Sequence, residues 1–130
     1  MLRMTDHGMR PPIPVLRMYD VEATKRFYLD YLGFQLDWQE GEGDRPVYMS
    51  VSRGPATLNL SSHSGDGTPG TVVIIQVDDV EALHRELHAK GYPFMNPGID
   101  PRGVGREVAV IDPASNEIRF FQSGHSDTDA

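Results

Sequence analysis

The chain has 130 residues, enough for one compact domain, and sets 19 acidic against 12 basic side chains for a net charge of −7. That balance excludes a surface built to neutralise a phosphate backbone, so no nucleic-acid partner is expected; it is compatible with a cationic ligand. The absence of cysteine excludes disulfides and thiolate chemistry, and no apolar run approaches the roughly 20 residues of a membrane span, so no membrane partner and a cytoplasmic location are expected.

In chain order, residues 1–12 contain Pro11-Pro12 and no periodicity, and predict a loose arm or one that crosses to a partner subunit. Residues 13–34 (IPVLRMYDVEATKRFYLDYLGF) then read as an apolar strand, an N-cap at Asp20, a helix of about three turns and a left-handed stop at Gly33. Thr24, Phe27, Tyr28, Tyr31 and Leu32 fall at helical spacing along its buried side. Residues 72–92 (VVIIQVDDVEALHRELHAKGY) repeat the design, with Asp-Val-Glu-Ala at 20–23 answered at 79–82. Here Asp78 and Glu81 have capping-box spacing, Val80, Leu83 and Leu87 form the stripe, and Gly91 is the stop. Two units of one design predict two similar modules.

Between the copies, residues 34–39 predict a strand bearing the sole tryptophan, Trp38, and 40–46 a loop. Residues 47–53 and 56–61 predict two strands joined at Gly54-Pro55, so the first module, 13–61, has the order β-α-β-β-β. A linker at 62–70, flexible by its glycines, leads to the second module, 71–122. That module is expected to run through strand 71–77, the helix from Val80, a weak strand near 94–96, and strands 106–111 and 117–122. The turn DPASN, 112–116, joins the last two strands, and a polar, disordered tail fills 123–130. The fold class is α+β.

Strand alternation separates two faces. Leu16, Met18, Leu58, Leu60, Val73, Ile75, Ile118 and Phe120 make one apolar face, which belongs under the helices. The other carries single polar groups among apolar ones, as in a small-molecule site: Arg17, Asn59, Gln76, Arg119 and Phe121, with Ile13, Val15, Val72 and Ile74. Arg17 and Arg119 are candidates to hold carboxylate, carbonyl or amide groups, with Asn59 and Gln76 between them. The competing reading is an internal pair of either arginine with Glu117 or Glu107. Trp38 and Tyr48 are candidate stacking surfaces for a flat ligand, or else core aromatics. His63, beyond the Asn59 strand, is a candidate at the cavity mouth or an exposed loop histidine. His84 and His88 have zinc-like spacing, but they flank a buried stripe and read as a solvated face.

The segments FYLDYLGF at 27–34 and GREVAVIDPASNEIRFF at 105–121 resemble those of the vicinal-oxygen-chelate superfamily of glyoxalases, extradiol dioxygenases and bleomycin-resistance proteins. IPVLRMYD at the start and GRE…DP..N late are similar to the bleomycin-resistance type, and the resemblance covers about residues 12–122. It implies paired βαβββ modules whose curled sheets enclose a cavity, and a homodimer in which two subunits complete each cavity. The metal positions of metal-dependent members fall on Ile13, Asn59, Val72 and Arg119, two of them aliphatic and one a fixed cation, so neither metal nor cofactor is expected. Drug-binding relatives carry a tryptophan before the late Gly-Arg-Glu; this chain departs from them with Val104.

The expectation is a metal-free protein that sequesters a small, cationic or planar compound of the bleomycin kind, with ligand-binding residues Arg17, Trp38, Tyr48, Asn59, His63, Gln76, Arg119 and Phe121. Two alternatives stand beside it: a lyase, isomerase or dioxygenase using His63, Glu107 or Glu117, and a regulatory domain whose vestigial cavity is filled by Arg17 and Arg119.

Overall fold

The structure is a computed structural model and describes residues 6–43 and 45–124. The first module consists of β1 (Val15–Arg17), α1 (Val21–Lys25), which continues as a π-helical turn over Arg26–Tyr31, β2 (Gln35–Glu40), β3 (Tyr48–Arg53) and β4 (Ala56–Ser61). The second consists of β5 (Val72–Gln76), α2 (Val80–Lys90), β6 (Asp100–Arg102), β7 (Gly105–Ile111) and β8 (Glu117–Ser123). Each forms a four-stranded mixed sheet, ordered β1-β4-β3-β2 and β5-β8-β7-β6, with the β1–β4 and β5–β8 pairs parallel. This is the α+β pair of βαβββ modules that the repeat predicts.

Local chemistry explains the helix ends. The Asp20 carboxylate accepts from Ala23 N at 3.0 Å, and Asp79 does the same for Ala82 N at 3.0 Å. The expected box between Asp78 and Glu81 does not form. The helix begins at Val80, so residue 79 is the cap, and Glu81 turns instead to Arg106 of β7 at 2.9 Å. Gln122, on the core side of β8, accepts from Val80 N at 2.8 Å and satisfies another free donor of that helix end. Gly91 caps α2 in the left-handed conformation, φ 63°.

Two expectations need correction. The first helix is α-helical only to Lys25; beyond it Leu32 N reaches back five residues to Phe27 O at 2.9 Å. The wider turn accommodates three large rings, Phe27, Tyr28 and Tyr31, all buried on one side. The weak strand near 94–96 is absent. Pro93 and Pro97 flank that stretch, each without an N–H to give a ladder, and the fourth strand forms later, with Asp100 opposite Glu107 and Arg102 opposite Gly105.

One core serves both modules. Leu16, Leu58 and Leu60 of the first sheet join Val108, Val110 and Ile118 of the second, with Phe27, Tyr28 and Leu87 between. The apolar faces therefore look inward toward each other, and the opposite faces of the two sheets look outward. The segment at 62–70 is pinned rather than slack: Ser61 Oγ donates to Asp66 Oδ2 at 2.9 Å, and Gly67 (φ 65°) lies so close to β1 that a Cβ would stand 2.8 Å from Arg17 N. Of the expected arm at 1–12, residues 6–12 form a turn at 6–8 and then irregular chain, and of the tail expected at 123–130, Ser123 instead closes β8; residues 1–5 and 125–130 lie outside the described residues.

A buried polar network joins the modules. Tyr28 donates its hydroxyl to Asp112 Oδ2 at 2.6 Å, while Asp112 Oδ1 accepts from the N–H groups of Ala114 and Asn116, both at 2.8 Å. Asn116 Nδ2 donates to Asp112 Oδ2 and to the Arg17 carbonyl, each at 2.9 Å, and Asn116 Oδ1 accepts from Thr71 N at 3.2 Å. The DPASN turn thus carries its own acceptor for the first module's helix. Burial first, then the Asp112 charge, push the Tyr28 hydroxyl well above its ordinary value near 10. A raised folded pKa gives stability that is complete below the unfolded value and is lost as pH climbs past it. Tyr28→Phe is expected to lower stability by about 1–2 kcal/mol at pH 8. Above about pH 10 the wild type should lose about 1.4 kcal/mol per pH unit more than the variant. Urea unfolding at several alkaline pH values tests this; parallel pH profiles would show that Tyr28 is not the group concerned.

Candidate functional site

The outward face of the first sheet gathers five of the expected residues. Cross-strand register sets Arg17 and Tyr48 beside Ser61, and Asn59 and Trp38 beside Ser50. A β-bulge decides where the tryptophan points. Leu36 sits opposite core residue Val51, so in a regular strand Trp38 would face inward too; the extra residue, Asp37, turns Trp38 to the outer face beside Ser50. There Trp38 stacks on Tyr48 with centroids 5.6 Å apart and planes 6° apart, and the His63 ring meets Tyr48 edge-on at 6.2 Å. Trp38 remains 46% exposed, so its free face can take another ring.

Asn59 supplies the anomaly. Its Nδ2 donates to the Tyr48 hydroxyl at 3.1 Å, and its Oδ1 is buried without a partner. Turning the amide over exchanges an orphan oxygen for an orphan nitrogen. An unpaired buried amide costs about 1–3 kcal/mol, and folded proteins seldom carry one without a reason.

The remaining three residues stand on the outward face of the second sheet. Gln76 pairs with Phe121, which lies opposite Glu107, while Ile74 pairs with Arg119. Arg119 Nε donates to Glu117 Oε2 at 2.9 Å, and Glu107, 3% exposed, accepts from Arg102 at 2.9 Å. Arg119 is thus held internally, while Arg17 pairs with no carboxylate among the described residues and lies over the Tyr19 ring at 5.9 Å. The expectation that Arg17 and Arg119 share one cavity, with Asn59 and Gln76 between them, is not met within a chain: the common core stands between the two faces. Ser50 and Arg102, the partner of Glu107, were not singled out from sequence. Alternation with Tyr48 would have given Ser50; Arg102 depends on where β6 forms.

A cleft of about 500 Å³ lies elsewhere, between the β3–β4 hairpin and α2, over Phe34, Ile75, Leu83 and Phe120. Gln76 also lines it, while the rest of its polar rim is spent. Arg53 forks onto Glu86 at 2.9 and 2.8 Å and onto the Leu32 carbonyl, and Asp79 is committed to its helix cap. Apart from the Gln76 amide it offers only apolar surface, little to orient a ligand.

The metal positions that the superfamily implies do not fit an ion. Ile13 and Val72 have no donor atom, Asn59 is turned to Tyr48, and the Arg119 guanidinium occupies the neighbouring Glu117 carboxylate. Among the described residues no three His, Asp or Glu side chains are grouped to hold a metal. His84 and His88 serve as latches instead, through Nε2 to Pro97 O at 3.1 Å and Nδ1 to Asn96 Oδ1 at 3.0 Å. No helix of the described residues is long and apolar enough to cross a membrane.

Two back-to-back βαβββ modules with open outer faces define a class of protein. A family model described as glyoxalase superfamily protein matches residues 3–127, and the chain belongs to that superfamily. It is similar to the bleomycin-binding protein from bleomycin-producing Streptomyces verticillus, solved with copper(II)-bleomycin: 30% identity, TM-score 0.64, covering 87% of this chain and 95% of that one. A bleomycin resistance determinant encoded on the transposon Tn5 shares the fold at TM-score 0.70 and 22% identity, over 88% and 98% of the two chains. A protein provisionally named glyoxylase CFP32, from Mycobacterium bovis and Mycobacterium tuberculosis, is 27% identical over 113 residues, 83% of this chain. The chain spans 43% of the length of these curated relatives.

Proposed function

We propose that the protein binds rather than transforms: it sequesters a small planar or cationic compound of the bleomycin kind. In this reading a homodimer sets the first sheet's outer face from one copy against the second sheet's outer face from its partner. The observation that carries it is the orphan Asn59 amide beside the stacked Trp38–Tyr48 pair on an uncovered face. A flat ring laid on Trp38 extends the stack, contributing about 0.5–1.5 kcal/mol beyond its burial, and a polar group of the same ligand satisfies Asn59 once the side chains that bury its Oδ1 give way. The second sheet contributes Phe121, Gln76 and the Arg119–Glu117 pair. Support for a covered assembly comes from Ile13, Val72 and Ile74, left 52%, 45% and 60% exposed on these faces. Glu107 and Glu117, the acids an enzyme would draw on, are each committed to an arginine, which favours binding over proton transfer.

Subunit complementation tests the composite cavity. Trp38→Ala and Phe121→Ala homodimers are each expected to bind bleomycin about 10-fold or more weakly, as for loss of an aromatic anchor. Each mixed dimer keeps one intact cavity of two, and since an equal, freely exchanging mixture is half mixed dimers, about a quarter of all sites should regain tight binding in calorimetry. Mixing that restores nothing would mean that the two faces do not combine between subunits.

A further inference from the structure

We propose that the protein has a second ligand site, on the side where the two helices meet, and that it takes a planar aromatic carboxylate. The cleft holds about 490 Å³ between the π-helical turn and the end of α2, and is bounded by Arg26, Asp30, Tyr31, Lys90, Tyr92 and Phe94. It shares no residue with the outward sheet faces.

Its wall is aromatic and held in place. Tyr92 stacks on Tyr31 at 4.3 Å and 16°, and Phe94 stands edge-on to Tyr92 at 5.3 Å. Phe94 is 73% exposed, yet its segment is fastened to α2 by both histidine latches and stiffened by Pro93 and Pro97. A large apolar ring fixed in solvent at the rim of a cleft is a surface waiting to be covered. The failure of 94–96 to join the sheet is what leaves it there.

The charge inside the cleft is the reverse of the chain's. The whole molecule carries −7, but two cations, Arg26 and Lys90, face one acid, Asp30. Lys90 donates to the Asp30 and Tyr31 carbonyls at 2.6 and 3.1 Å. Arg26 pairs with no carboxylate among the described residues, so its planar fork is free to receive one. A second cleft, of about 340 Å³, lies beyond Phe94 and also reaches Arg26, but its acid is Asp112, so the cation excess belongs to the first. Arg26, Asp30 and Tyr31 all come from the π-helical turn, a conformation concentrated at functional positions. The ligand's ring lies against Phe94 and Tyr92, and its carboxylate against Arg26.

Benzoate is the probe, titrated into the full chain by ligand-observed NMR. Saturable binding is expected, weakened about tenfold or more in Arg26→Ala, partly kept in Arg26→Lys, and lost in Phe94→Ala. Benzyl alcohol, the neutral analogue, should bind about tenfold or more weakly than benzoate. Both substituted side chains are exposed, and unchanged melting temperatures check that the variants fold. Trp38→Ala should leave benzoate binding as it was. No saturation by about 10 mM benzoate, equal binding in Arg26→Ala, equal binding of the alcohol, or a loss with Trp38→Ala would each overturn the proposal, the last by moving benzoate to the outer face.

Discussion

Asp112→Ala is expected to remove about 3–5 kcal/mol of stability, a large part of the roughly 5–15 kcal/mol that a domain of this kind has. The carboxylate is 5% exposed and accepts four hydrogen bonds, from Tyr28, Asn116 Nδ2 and the N–H groups of Ala114 and Asn116. Alanine strands all four donors away from water, and each donor facing a lost charged acceptor is worth about 1.5–3 kcal/mol before the turn relaxes. Asn116 would also lose the hold that lets it bridge to Arg17 O, so the damage spreads from a turn of the second module to β1 of the first. Asp112→Asn should be nearly as costly, since its new N–H₂ group would meet the Tyr28 and Asn116 donors. A double-mutant cycle with Tyr28→Phe should return a coupling of about 1 kcal/mol or more. Urea unfolding that finds Asp112→Ala within about 1 kcal/mol of wild type would mean that the network does not join the modules.

Gly105→Ala ranks next. A Cβ at residue 105 would press on the Gln122 carbonyl and stand 2.6 and 2.8 Å from two ring carbons of Phe121, well inside the roughly 3.5 Å that carbon atoms tolerate. Either the ring swings away or the end of the β7–β8 ladder opens, at a cost of about 1–3 kcal/mol. Because Phe121 belongs to the proposed cavity, bleomycin binding should weaken along with stability. Gly98→Ala is the control, since nothing lies within 4 Å of the added atom. Calorimetric melting and titration of both variants check this; a neutral Gly105→Ala would mean that Phe121 is not packed on that glycine.

Much of the fold is written in local patterns. Asp20 and Asp79 announce helix starts, Gly33 and Gly91 their ends, and the alternation of Leu58 and Leu60 with Asn59 separates core from outer face. What stayed hidden depends on distant partners. Asp37 becomes a bulge only because β3 presents Val51 and Ser50 at its side, so no periodicity in 35–40 reveals which way Trp38 turns. The π-helical turn answers the crowding of three rings against a core drawn from both modules. Trp38 apart, the face on which each candidate residue lies was legible, but the division of the candidates between two outward faces was not. That division follows from the modules packing back to back, and strand patterns are the same whichever way two modules meet.

A flat ligand is expected to stack on the outer face of the first sheet, and Trp38, the sole tryptophan, reports directly from that face. Metal-free bleomycin should quench its fluorescence saturably, at about one drug per protomer and micromolar affinity or better, about −8 kcal/mol or below. A flat titration, matched by the absence of heat in calorimetry, would mean that the drug does not bind this face.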